Sequence, residues 1–269
     1  MAMAHSLSYC GDFVRQSDPD RFLLSMFAPA DRREALWALF AFQGEIAKTR
    51  DVVSDSTLGR MRLQWWRDEL EKIYAGHEAP AHEVLAPLAA AIRVHDLPLA
   101  DFEMLLEARE FDLGDELPGN VEGFLNYADL TTTPLMRMAV QIEGCDPALE
   151  PVQAVAMNYA LAGLLRVIPH WAGHGRCVLP EDVMAAYGIT PGGLFTGKNL
   201  DGLAEMVRFL ARERVAGIKP GSKLLRATDV LAGLYFRQME RVSYDVLSPR
   251  MAIDPAFKVL RLTFFTKFM

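Results

Sequence analysis

Apolar residues recur at intervals of three and four along almost the whole chain, and no stretch alternates as a half-buried strand would. Helices are therefore the only regular structure that the pattern favours. The chain has 269 residues, 51% of them hydrophobic, which is enough to bury a substantial core. No repeat, low-complexity tract or linker divides it. The sequence predicts an all-α, single-domain helical bundle over residues 1–269.

Proline, glycine and capping residues locate the ends of the predicted helices. After a cap at Ser17–Pro19, the expected helices run to Phe27, from Pro29 to Val53, and over Leu58–Tyr74, His82–His95, Leu99–Leu113, Val121–Ile142, Ala148–Ile168, Glu181–Tyr187, Leu200–Ala216, Ser222–Leu247 and Pro255–Phe268. Glycine and proline in Thr190–Asn199 predict a surface loop. Ser54 and its neighbours predict a break before Leu58.

Charge and cysteine content restrict the function. The net charge of −7 argues against a nucleic-acid partner. Cys10, Cys145 and Cys177 are far apart, which indicates neither a disulfide framework nor a zinc site and fits a reducing compartment. The N-terminus lacks the features of a secretory signal, and no apolar run approaches the roughly 18–20 residues that span a bilayer. We expect a cytoplasmic protein.

The segment Tyr159–Pro180 combines a buried helix with a Gly-Arg-x-x-Leu-Pro turn. It resembles the second signature of the squalene/phytoene synthase family, a Leu-Arg-Asp-x-x-x-Asp helix followed by the same turn. In that family the two aspartates hold Mg²⁺ against a prenyl diphosphate. Val167 and Trp171 stand at the matching positions here, so the frame is present without its metal ligands.

Residues 41–51, Ala-Phe-Gln-Gly-Glu-Ile-Ala-Lys-Thr-Arg-Asp, are similar to the first family signature, Ala-Phe-Cys-Arg-x-x-Asp-Asp-x-x-Asp. Residues four apart share a helix face, which lets carboxylates bind one Mg²⁺. On this match Ala47 and Lys48 replace the adjacent aspartates, and Gly44 replaces a diphosphate-contacting arginine. Asp51 remains.

The resemblance extends over residues 20–262 and leaves four residual site positions that can contact a ligand: Asp51, Arg166, Arg176 and Tyr244. It also places Ala160 and Gly163 where the family has glutamine and asparagine. A shifted metal site formed by Asp51 and Asp55 stays open, although a helix cap is the preferred interpretation of Asp55.

Two further motifs have structural explanations that we prefer. His170 and His174 have the spacing of two metal ligands on a helix turn, but Pro169 and nearby glycines favour an irregular loop. Trp65 and Trp66 point about 100° apart on a helix, so one can serve as a docking anchor. The pair is expected to divide between core and interface, and a role in core packing alone is preferred over docking.

The pattern of departures is typical of a divergent branch of the family, which includes a mitochondrial assembly factor for respiratory complex I and its bacterial relatives. The resemblance implies a pseudoenzyme without cofactor, which acts as an assembly or scaffold factor for complex I, the NADH:quinone oxidoreductase. Its implied partner is a complex I subunit or assembly intermediate, and its implied place is the inner face of the respiratory membrane, as a peripheral protein.

Two alternatives stay open. One is an active Mg²⁺-dependent prenyltransferase that condenses isoprenoid diphosphates. The other is a non-catalytic protein that binds an isoprenoid, quinone or lipid tail. For Leu262–Met269, burial against the bundle is preferred over contact with a bilayer surface.

Overall fold

The computed structural model of the protein describes residues 7–53, 55–114 and 116–268, with side chains up to residue 266. These ranges contain helices and no strand, which confirms the all-α prediction. The α-helices are α1 Tyr9–Ser17, α2 Pro19–Ser25, α3 Arg33–Ala47, α4 Thr49–Val52, α5 Ser56–Tyr74, α6 Leu85–His95, α7 Leu99–Phe111, α8 Val121–Glu143, α9 Val152–Arg166, α10 Ile168–Gly173, α11 Glu181–Ala186, α12 Pro191–Thr196, α13 Leu203–Leu210, α14 Lys223–Arg241 and α15 Lys258–Phe268. Short 3₁₀ helices cover Ala30–Arg32, Pro147–Leu149, Ala211–Glu213 and Pro249–Ala252.

The helices form two compact units. Unit 1 comprises the residues up to 114 together with 134–150 and 222–224, and unit 2 comprises 115–133, 151–221 and the residues from 225 onward. Helices α8 and α14 contribute residues to both units. The single-domain assignment stays a prediction. None of the described helices has both the length and the hydrophobicity of a transmembrane span.

Helix α3 forms the centre of unit 1 and packs against α1, α2, α6 and α7. All residues from 36 to 43 are buried, because apolar side chains occupy every side of the helix there. The Phe42 ring meets the rings of Trp66 and Phe102 edge-on, at centroid distances of 5.2 and 5.3 Å. These aromatic contacts place the end of α3, which carries the first signature, in a rigid setting.

Helix ends in the N-terminal part differ from the prediction. The expected helix from Pro29 to Val53 is divided into a 3₁₀ turn, α3 and the short α4, with a break at Lys48. Helix α1 was not predicted, because a sequence of nine residues is too short to show a clear period. The predicted cap of α2 is confirmed, since the Asp18 carboxylate accepts a hydrogen bond from the Arg21 N–H at 2.9 Å.

The loop prediction for Thr190–Asn199 is wrong, because α12 lies inside it. Thr190 caps this helix through the Gly193 N–H at 3.0 Å, and Pro191 opens it. Gly197 closes it in the left-handed conformation. The predictions for the N-terminus and for Ser54 concern positions outside the described residues.

In unit 2, α9 ends at Arg166 because Pro169 cannot donate the hydrogen bond that would continue the helix. Asn158, on the same helix, donates to the Val215 carbonyl at 2.8 Å and accepts from the Val215 N–H at 2.9 Å. This reciprocal pair fixes the chain after α13 against α9, so the second signature lies on a well-supported helix.

Gly202 precedes α13 at a point of close approach between two segments of backbone. A Cβ atom there would lie 2.1 Å from the Tyr187 carbonyl oxygen. We predict that Gly202→Ala lowers the free energy of unfolding by about 1–3 kcal/mol, because the backbone must shift. Gly163→Ala is the matched control, since apart from the neighbouring residues and backbone of its own helix no atom lies within 4 Å of its Cβ position. It should stabilise α9 by about 0.5–1 kcal/mol. Urea denaturation of both variants checks the prediction, and equal stabilities would contradict it.

Candidate functional site

In unit 1, ion pairs surround the end of α3 that carries the first signature, residues 41–51. Glu45 is buried, and its carboxylate accepts hydrogen bonds from Lys48 Nζ and from the Arg62 guanidinium, each at 2.6 Å. Lys48 stands at a position that the resemblance assigns to a metal-binding aspartate. The two cations balance one internal carboxylate and repel a divalent cation.

The Phe13 ring of α1 occupies the space beside Gly44, the residue that stands where the family has a diphosphate-contacting arginine. A Cβ atom on Gly44 would lie 2.7 Å from Phe13 Cε1. The Lys48 ammonium lies 5.1 Å from the centre of the same ring, a cation–π contact. Only glycine fits at residue 44 while the ring keeps this place.

The acidic residues after α3 have separate roles. Asp51 lies exposed on α4. Asp55 caps α5, since its carboxylate accepts hydrogen bonds from the N–H groups of Thr57 and Leu58 at 2.8 and 3.0 Å. Arg50 donates to main-chain carbonyls at the end of α7, the shortest contact being 2.8 Å to Leu113, where a cation also complements the helix dipole.

In unit 2 the frame of the second signature is intact. Val167 and Trp171 remain one helical turn apart, because the Trp171 N–H donates to the Val167 carbonyl at 3.0 Å across the junction of α9 and α10. Both side chains are half-buried, and neither carries an oxygen that could bind Mg²⁺. The spacing of the family motif is therefore kept without its chemistry.

The residual site residues of unit 2 all make cation–π contacts, with three different partners. The Arg166 guanidinium lies 3.3 Å from the centre of the buried Tyr235 ring. Arg176 lies 5.5 Å from the Trp171 ring, and Arg208 lies 5.3 Å from the Tyr244 ring. Packing against aromatic rings gives these residues a structural role that needs no ligand.

The structure also shows where the histidine and tryptophan motifs lie. His170 lies on the short helix α10 rather than in an irregular loop, and its carbonyl lies 2.8 Å from His174 Nδ1. Within the described ranges, no group of three or more His, Cys, Asp or Glu residues is arranged to hold a metal ion. Trp66 is buried whereas Trp65 is 39% exposed, so the pair divides between core and surface.

Unit 2 has an open groove of about 430 Å³. Its lining residues are Val121, Asp182, Val183, Ala186, Tyr187 and Phe209. None of the residual site residues is among them, so the groove is separate from the second signature.

The sequence profile of the squalene/phytoene synthase family matches residues 14–255. The chain belongs to this family. Over 256 residues it is 25% identical to NADH dehydrogenase (ubiquinone) complex I, assembly factor 6 of Bos taurus, a match that covers 90% of this chain and 76% of that protein. It is also 26% identical over 288 residues to the phytoene synthase of Arthrospira platensis, covering 94% and 89%.

A solved dehydrosqualene synthase in complex with ligand has the same fold, with a TM-score of 0.77 at 17% identity, covering 97% of this chain and 95% of that chain. These two relatives, an assembly factor and a phytoene synthase by name, have almost the same sequence identity to this chain. Membership of the squalene/phytoene synthase family therefore leaves the activity to be argued from the site residues.

Sequence reasoning missed Glu45 and Phe13, which occupy the first-signature region. Neither belongs to the aligned motif positions, so the comparison with the family pattern gave no signal for them. The charge pattern did contain a signal for Glu45. Glu45 and Lys48 are three residues apart, a spacing that permits an ion pair on one helix face.

We predict that Glu45→Gln lowers the free energy of unfolding by about 1–2 kcal/mol, since it leaves two partly exposed cations without their carboxylate. Asp12→Asn is the matched control, because Asp12 pairs with Arg15 at 2.8 Å on the surface. It should change stability by less than about 0.5 kcal/mol. Chemical denaturation measures the free energy of unfolding of both variants. If Glu45→Gln lowers it no more than the control does, the ion pairs of Glu45 contribute little to stability.

Proposed function

We propose that the protein assists the assembly of respiratory complex I, the NADH:quinone oxidoreductase, without catalysing prenyl transfer. The observation that carries the proposal is the pairing of Lys48 with the buried Glu45 where the family places a metal-binding carboxylate. The similarity to a complex I assembly factor over 90% of this chain gives the direction of the proposal.

The chemistry of prenyl transfer supports this choice. Ionising a prenyl diphosphate requires a positively charged centre that compensates the leaving group, and Mg²⁺ held by carboxylates provides it in the family. Four assigned metal positions, Ala47, Lys48, Val167 and Trp171, carry no carboxylate. For comparison, loss of a single oxyanion-hole donor commonly slows an enzymatic step by about 10²–10³-fold. We infer that prenyl transfer by this chain is negligible.

The proposed partner is a protein: a complex I subunit or an assembly intermediate. The proposed place of action is the inner face of the respiratory membrane. No cofactor takes part in this function, and the arginines at 166 and 176 serve the packing of unit 2.

The runner-up function is a Mg²⁺-dependent prenyltransferase. It is supported by the match to a phytoene synthase over 94% of this chain and by the retained Asp51. The purified chain, incubated with Mg²⁺ and farnesyl or geranylgeranyl diphosphate, should give no longer isoprenoid product. A product that disappears on adding a chelator would overturn the non-catalytic assignment.

Deletion of the gene should lower the amount of assembled complex I. We expect a several-fold loss of NADH:quinone oxidoreductase activity in isolated membranes, with the intact complex reduced on native gels. Succinate oxidation in the same membranes is the control, because it bypasses complex I. Normal complex I in the deletion strain would contradict the assembly role.

The variant Asp51→Ala, expressed in the deletion strain, distinguishes the assembly function from metal-dependent prenyl transfer. Asp51 is the last carboxylate of the first signature and is exposed on α4, so its removal should leave the fold intact. A non-catalytic assembly factor with this change should restore complex I to the wild-type level. Failure of the variant at equal protein abundance would favour a metal-dependent reaction.

A further inference from the structure

The outer side of α15 in unit 2 is apolar. Five large apolar residues on α15 or just before it are more than half exposed: Ile253, Phe257, Val259, Leu260 and Phe264. Leu260 and Phe264 are four residues apart on α15, so they lie on one side of the helix, and Phe257 directly precedes its first residue. Single exposed apolar residues are ordinary on protein surfaces, whereas a continuous group of this kind marks an interaction site.

This helix is held firmly in place. Leu262 is completely buried, and the Arg226 guanidinium of α14 donates to the Thr266 carbonyl at 3.2 Å. At the other end, the Gln238 side-chain amide donates to the Ile253 carbonyl at 2.7 Å. Helix α15 therefore runs antiparallel to α14 and presents a fixed apolar face.

Phe257, which directly precedes α15, combines an unfavourable backbone conformation with exposure to solvent. Its φ of +56° lies in the left-handed region, where a side chain with a Cβ atom is strained. The residue is also 72% exposed, so hydrophobic burial within the chain does little to compensate for that strain. Strained residues of this kind concentrate at functional surfaces.

Arginines lie beside the apolar face. Partial burial lowers the pKa of Arg237, and the nearby positive charges of Arg261, Arg241 and Arg214 lower it further, against the opposing effect of Glu240. Guanidinium groups stay charged even so. The geometry agrees with this, because Arg237 and Arg241 are exposed on α14, which is hydrogen-bonded along α15, and Arg261 directly follows Leu260 on α15. An anion bound among these cations would relieve their repulsion.

Carboxylates balance only part of this charge. Glu240 pairs with Arg214 at 3.0 Å, and no described carboxylate lies within ion-pair distance of Arg237, Arg241 or Arg261. The region between α14 and α15 is thus locally cationic on a chain whose net charge is −7.

We propose that this surface docks onto a membrane that contains anionic phospholipids. The α15 face is defined by its apolar and cationic residues: Phe257, Leu260, Phe264, Arg237, Arg241 and Arg261. The apolar side chains would enter the boundary between headgroups and acyl chains, while the arginines bind lipid phosphates.

The positive charge of the α15 face favours an anionic membrane as its partner. An anionic surface repels the chain as a whole, so only a locally cationic face can approach it. An apolar helix side with arginines beside it is the arrangement of helices that lie in a membrane interface. The inference rests on the proposed function only for which membrane is meant, because lipid binding itself does not depend on complex I.

Flotation of the purified full chain with lipid vesicles tests the proposal. The protein should float with vesicles that mix phosphatidylcholine and phosphatidylglycerol, stay behind with phosphatidylcholine alone, and dissociate as salt screens the arginines. The triple variant Arg237→Gln/Arg241→Gln/Arg261→Gln should bind about 100-fold more weakly, at roughly fivefold for each arginine near an anionic surface. Phe257→Ser/Leu260→Ser/Phe264→Ser should remove measurable binding.

Matched variants on unit 1 serve as controls. Leu58→Ser/Met61→Ser removes exposed apolar side chains from α5, and Arg15→Gln/Arg60→Gln/Arg93→Gln makes the same change in charge. Both should bind vesicles like the wild type. Circular dichroism of every variant confirms that the fold is retained.

Three results would overturn the proposal: no binding of the wild type to anionic vesicles, equal losses in the control variants, or a wild-type dimer that the apolar triple variant dissociates. The last would assign the face to a second copy of the chain. If the protein does not bind vesicles but deletion of its gene lowers complex I, this inference alone is refuted. If the protein binds vesicles but deletion leaves complex I normal, the proposed function alone is refuted.

Discussion

A carboxylate lies near the end of a helix that apolar side chains surround on almost every side. Glu45 is buried there, and burial of an isolated charge is far more costly than burial of a pair. Lys48 and Arg62 supply the cations that pair with it, one from the same helix and one from α5. The arrangement couples α3 to α5 and gives the first-signature region an internal balance of charge.

Much of the fold follows from the sequence, because the helical period is strong and proline, glycine and capping residues mark many helix ends. Asp18 and Pro19 begin α2, and Pro169 ends α9, each for a local reason that the sequence contains. Helix α12 was missed because glycine and proline indicated a loop, although Thr190 and Pro191 also form a helix start.

The site was predictable only in part. Substitutions at the metal positions can be read directly from the sequence, since they concern the presence or absence of a carboxylate. The side chains that surround these positions cannot be read in this way, because Phe13 and Arg62 are brought to α3 by tertiary packing. The aromatic partners of Arg166 and Arg176 depend likewise on contacts within unit 2. Similarity to relatives adds the fold but does not decide the chemistry, which depends on individual side chains.

The contact between Phe13 and Gly44 restricts how this chain can evolve. An arginine at residue 44 cannot be accommodated while the aromatic ring keeps its position, so the ring must move or be replaced by a smaller side chain. Either change disturbs the packing around α3 before any new contact exists to offset it. A route toward a diphosphate-contacting arginine at residue 44 therefore begins with a loss of stability.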